Sequence, residues 1–163
     1  MVVHAGVTPT NAAEQSVLWQ TALAWLARRE HSRRELAHKF AGQGATAAQI
    51  QSVLDALVER GLQSDARFAE GVVSSRVRRG QGAVRIRQEL AACGVAAELI
   101  DAALAAAGID WQRRALEVCR EKFGAGVPSD WAERARRARF LSYRGFDTDI
   151  IRAVLTPGAG EGP

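Results

Sequence analysis

The side chains best placed to act together in this chain are arginines. Arg76, Arg78, Arg79, Arg85 and Arg87 fall within a stretch that holds no acid. Arg134, Arg136, Arg137, Arg139 and Arg144 form a second acid-free cluster. Arg28, Arg29, Arg33 and Arg34 with Lys39 form a third, diluted by Glu30 and Glu35. A guanidinium stays charged at any working pH and presents a planar fork of donors. Such clusters pair with phosphate or carboxylate, so the chemistry they suggest is recognition of an acidic partner. The net charge of +4 points the same way. A GC-rich genome would also favour arginine over lysine, so position says more than count. Cations at helix C-termini are ordinary, and that accounts for Arg28, Arg29, Arg78 and Arg79. It accounts poorly for 134–144, where most of the arginines precede the helix end.

Bond-making chemistry is not suggested. His31 and His38 lie two helical turns apart, too far to share one ion. Gly80-Gln81-Gly82 lacks the Gly-Lys-Ser/Thr ending and the preceding strand of a phosphate-binding loop. No nucleophile–base–acid order stands out. The expectation is therefore a protein that is not an enzyme, with no catalytic residues, no metal and no cofactor. Trp19, Trp25, Trp111 and Trp131 could stack on bases, but their places near helix starts and in apolar stripes favour packing for most of them. Cys93 and Cys119 sit among alanines and aliphatics and read as buried thiols rather than a disulfide, which suggests a reducing cytoplasm. No apolar run approaches the roughly 20 residues that span a bilayer, and residues 1–15 lack the pattern of a secretory signal.

The elements that would carry the arginines are helices. Ser32-Arg33-Arg34-Glu35 and Thr46-Ala47-Ala48-Gln49 are capping boxes, and Asp65, Asp110, Asp130 and Asp147 are candidate caps. Glycines at 44, 61, 80, 94, 108, 124 and 145 mark helix ends. The apolar spacing between these signals is helical, as in Ile50, Val53, Leu54, Leu57 and Val58. Helices are predicted near 14–29, 32–41, 46–60, 65–79, 83–93, 96–107, 110–123, 130–144 and 147–155, with no sheet. One spacing recurs: Phe40, Gly44, Ile50 and Leu54 are matched by Leu90, Gly94, Ile100 and Leu104, then by Leu141, Gly145, Ile151 and Leu155. That periodicity predicts an all-α fold of three tandem three-helix repeats, over 14–61, 62–108 and 109–155, forming an elongated helical array. Flexible tails are expected over 1–13 and 156–163. Stacked repeats would merge the arginine clusters into a basic stripe, with the more acidic third helices opposite.

These residues also resemble a known family. Arg29-Glu30-His31-Ser32-Arg33-Arg34-Glu35-Leu36 looks like the opening motif of RecX, the bacterial regulator of the RecA recombinase. Asp65-Ala66-Arg67-Phe68-Ala69 is similar to its D-x-R-F-A motif. Arg76, Gly80, Gly82, Arg85, Ile86, Glu89, Leu90, Gly94 and Val95 resemble its central signature. Phe140-Leu141-Ser142-Tyr143-Arg144-Gly145-Phe146 is similar to its F-L-x-R-R-G-F motif, with Tyr143 where the family usually has arginine. The resemblance reaches from about residue 20 to 155. It implies tandem three-helix repeats, and binding to RecA protein and to the RecA–single-stranded DNA filament. It further implies damping of recombination, ATP hydrolysis and RecA-assisted repressor cleavage in the SOS response. Such proteins lie in the filament groove or block filament growth. Direct contact with DNA is the alternative reading, and a monomer without membrane association is expected. Capping, core and turn positions set aside, Arg67, Arg76, Arg79, Arg85, Arg137, Arg139 and Arg144 remain as candidates for contact.

Overall fold

A computed structural model describes residues 9–156, with side chains from residue 13 onward. Among the described residues there are nine helices and no strands. They are α1 (Pro9–Leu26), α2 (Arg33–Gly42), α3 (Ala47–Glu59), α4 (Asp65–Arg78), α5 (Ala83–Ala92), α6 (Ala97–Ala106), α7 (Trp111–Phe123), α8 (Trp131–Arg144) and α9 (Thr148–Leu155). The chain is all-α, as the capping signals predict. Helix α1 begins five residues earlier than expected, at Pro9, whose fixed φ suits a first helical position. The remainder of the expected tails, 1–8 and 157–163, lies outside the described residues.

The caps form as the sequence indicates, with one exception. Ser32 and Glu35 close a capping box on α2, and Thr46 and Gln49 close one on α3. Asp110, Asp130 and Asp147 cap α7, α8 and α9. Asp65, expected as a cap, is instead the first residue of α4. Ser64 takes the capping place there, its Oγ accepting from the Arg67 amide at 3.2 Å. The freed Asp65 carboxylate accepts from the Arg33 amide and from Gln63 Nε2, both at 2.8 Å. It thereby satisfies an open donor at the start of α2. Gln63 also donates to the His31 carbonyl at 3.1 Å. His31 itself is buried. Its Nδ1 lies 3.0 Å from the Arg29 carbonyl, and burial lowers its pKa.

The recurring spacing corresponds to one recurring turn. The amides of Gly44, Gly94 and Gly145 donate to Ala41, Ala91 and Ser142, each at 3.0 Å. The next amides, of Ala45, Val95 and Phe146, reach back to Phe40, Leu90 and Leu141 at 3.1–3.2 Å. This pair of bonds is a Schellman closure, which needs a left-handed residue at the glycine. Gly94 has φ 79° and Gly145 φ 90°. Phe40, Leu90 and Leu141 are fully buried, so each turn hangs from an apolar anchor.

The residues fall into two compact units, one ending at Phe68 and the other starting at Ala69, within α4. The core of the first comprises Leu18, Ala22, Leu36, Phe40, Ile50, Val53, Leu54 and Leu57, with Trp19 and Trp25 packed against it. The second unit buries Val73, Ile86, Leu90, Ile100 and Leu104 along α4–α6. It also holds a cluster of Ala115, Val118, Cys119, Leu141, Phe146 and Leu155 along α7–α9, with Trp111 against it.

Candidate arginine-rich contact site

In the second unit, two motifs that are far apart in sequence meet. The last carbonyls of α8 dock onto the first amides of α5. Gly82 N–H donates to the Arg144 carbonyl at 2.8 Å, and Val84 N–H to the Gly145 carbonyl at 3.0 Å. A helix start has amides with no internal partner and a helix end has carbonyls in the same position; here each satisfies the other. The helix dipoles also meet with opposite partial charges. The approach is so close that a Cβ at Gly82 would sit 2.6 Å from the Phe146 nitrogen. One at Gly145 would sit 2.6 Å from the Arg85 nitrogen. Gly82 therefore does more than precede a helix: it lets two backbones touch.

Guanidinium groups surround this junction. Arg144 Nη1 donates to the Arg79 carbonyl at 2.9 Å, and its guanidinium lies 5.2 Å from the Phe140 ring centre. Arg114 Nε donates to the Val77 carbonyl at 3.2 Å. These two arginines thus close the C-terminal end of α4, where carbonyls lack intrahelical donors. Sequence reasoning missed Arg114: its spacing to Glu117 reads as an ordinary surface pair, which it also makes at 3.0 Å. Arg85 Nη1 donates to the Tyr143 carbonyl at 3.1 Å, and its guanidinium lies over the Tyr143 ring at 5.1 Å.

The seven candidate arginines separate by what they touch. Arg79 and Arg139 are exposed, and Arg85 and Arg144 are half-buried. None of these four makes an ion pair among the described residues. Arg76 is committed elsewhere. It holds Glu89 through two nitrogens, Nε–Oε2 at 2.8 Å and Nη2–Oε1 at 2.5 Å. That bond keeps the Glu89 carboxyl below its ordinary range, with Arg85 and Arg79 adding smaller effects. Arg67 belongs to the first unit, where it pairs with Glu30 at 2.7 Å and donates to the Leu62 carbonyl.

Arg137 departs most from expectation. Expected as a contact, it is 5% exposed. It bonds Glu133 Oε1 at 2.5 Å and the Gly126 carbonyl at 2.6 Å, and lies against the Phe123 ring. Glu133 in turn accepts from the Ser129 amide at 2.9 Å and hydroxyl at 3.0 Å. Those bonds and Arg137 pull the Glu133 pKa down to about 2. The network ties the segment before α8 to the helix. Arg137 points inward because it lies on the same side of α8 as Leu141, one turn on. Helix α8 turns the opposite way at Arg136, Arg139 and Tyr143, all exposed. Trp131 is also exposed, contrary to the packing role expected for most tryptophans.

Comparison with known proteins settles the family. The first, second and third three-helix domains of RecX match residues 19–57, 64–104 and 109–155. The chain belongs to the RecX family. The regulatory protein RecX of Halorhodospira halophila is 50% identical over 148 residues, 91% of each chain. That of Pseudomonas savastanoi pv. phaseolicola is 46% identical over 142 residues, 87% of this chain and 92% of the relative. The RecX crystal structure from Lactobacillus salivarius superposes with a TM-score of 0.76 at 19% identity, covering 88% of this chain and 96% of that one. The RecX relatives are named as regulatory proteins; the family is one of regulators, not of enzymes. No helix among the described residues is long and apolar enough to cross a membrane.

Proposed function

We propose that this RecX-family chain binds the RecA–DNA filament as a monomer in the cytoplasm and damps RecA's recombinase, ATPase and coprotease activities. The observation that carries this reading is the corner built by α5 and α8. Arg79, Arg85 and Arg144 gather there without ion-pair partners among the described residues, on backbone fixed by the Gly82–Arg144 and Val84–Gly145 bonds. Arg139 lies one turn before Tyr143 on the same helix. A group of guanidiniums with no ion pairs of their own suits an acidic surface of protein carboxylates or DNA phosphate. The names of the relatives, regulatory proteins RecX, support the regulatory part of the proposal.

Arg79, Arg85 and Arg139 are the contacts in this reading, with Arg144 placing Arg79. Arg76 and Arg137 act within the fold, and Arg67 acts through its pairing in the first unit. The test replaces Arg79, Arg85 and Arg139 with Glu. Association with RecA-coated single-stranded DNA and inhibition of RecA strand exchange should both weaken, with thermal stability little changed. A folded triple variant that inhibits strand exchange with wild-type potency across a salt series would overturn the proposal.

A further inference from the structure

Tyr143 is 74% exposed on the last turn of α8. The ring is thus largely open to solvent. Arg85 covers part of the ring at 5.1 Å and donates to the carbonyl of the same residue at 3.1 Å. Ring and guanidinium are therefore fixed to one another. Their backbones are fixed too, because the Arg85 amide and Cα lie directly under Gly145. Arg139, exposed one turn earlier on α8, and Arg144, the residue after Tyr143, add positive charge to the same end of the helix.

We propose that Tyr143 and Arg85 form a stacking site for one nucleobase of single-stranded nucleic acid, with Arg85 and Arg139 reaching the flanking phosphates. An aromatic face beside a guanidinium is what strand-binding surfaces use, since every base has a π-face and every link a charge. Protein carboxylates would engage the arginines but not the ring face, whereas a nucleotide would engage both. The inference rests on the filament reading for its partner, and it assigns this patch to the exposed strand rather than to the protein coat.

The test uses the full chain and a fluorescently labelled thymidine oligomer without RecA, by anisotropy over a salt series. Tyr143→Ala should bind about tenfold more weakly, the range expected for loss of one stacked base. Its log–log salt slope should match wild type, because a ring releases no counterions. Tyr143→Phe should bind as wild type. Arg85→Gln should lower the slope by about 0.7, one phosphate contact to a single strand. Tyr143 is the only tyrosine in the sequence, so the ring signals of a tyrosine-labelled sample should shift when the oligomer is added. The proposal is overturned if Tyr143→Ala binds the oligomer as well as wild type, or if wild type leaves those ring signals unmoved. If either result comes with weakened binding of Tyr143→Ala to RecA-coated strands, the ring meets protein, and the filament reading stands without this one.

Discussion

At the scale of single residues, arginines divide into those that hold the fold and those without an ion pair among the described residues. Arg137 is the clearest member of the first kind. Replacing it with Ala removes bonds to Glu133 and Gly126 and the packing on Phe123. The loss should be about 2–3 kcal/mol in denaturant unfolding, below that of a fully buried pair because Glu133 keeps some solvent and its Ser129 bonds. Arg139→Ala, two positions on and exposed, should change stability by less than about 0.5 kcal/mol in the same measurement. Glu133 adds a pH signature. Its folded pKa of about 2 lies below the ordinary 4.5, so the stability it confers is complete above pH 4.5. That stability should be lost progressively as pH falls toward 2, and the loss should be absent from Glu133→Gln. The inward turn of Arg137 could not be read from residue type, since it shares an acid-free run with Arg136 and Arg139. Helical phase carried the signal: Arg137 precedes the anchor Leu141 by one turn, and Arg136 and Arg139 do not.

At the scale of elements, helix ends were legible because they are written in short-range chemistry. Ser32, Thr46, Asp110, Asp130 and Asp147 all cap as their local pattern indicates. Asp65 was misplaced because its neighbour Ser64 has equal claim to the cap, and the deciding partner, the Arg33 amide, is distant in sequence. The docking of α8 on α5 was likewise invisible, since no local rule pairs Gly82 with Gly145. That junction gives a sharp contrast between glycines. Gly82→Ala would push a methyl into the Phe146 amide, where backbone cannot yield, and should cost about 1–3 kcal/mol. Gly71 lies in α4 with open space around it. Gly71→Ala should instead raise stability by about 0.5–1 kcal/mol. Thermal melts of the two variants, run side by side, check both signs.

At the scale of the whole molecule, repetition was the legible feature. Three anchors and three glycine turns recur with the same hydrogen bonds, and each of the three family domains, over 19–57, 64–104 and 109–155, contains one of them. What repetition could not convey is that the repeats are unequal. Only the second and third supply the opposed Gly82 and Gly145. The second unit should therefore carry the charge-dependent binding. Glu substitutions at Arg79, Arg85 and Arg139 should flatten the salt dependence of filament association more than Arg67→Glu does, as read from affinities across a salt series.

The docked helix ends also make a clock. First-turn amides of a helix ordinarily exchange their protons with water quickly, because nothing holds them. That of Val84, and the amide of Gly82 just before α5, are held by the carbonyls of Gly145 and Arg144 at the end of α8. Deuterium can enter there only when α8 lifts from α5, so uptake at these two sites times the opening of the corner that carries Arg85 and Tyr143.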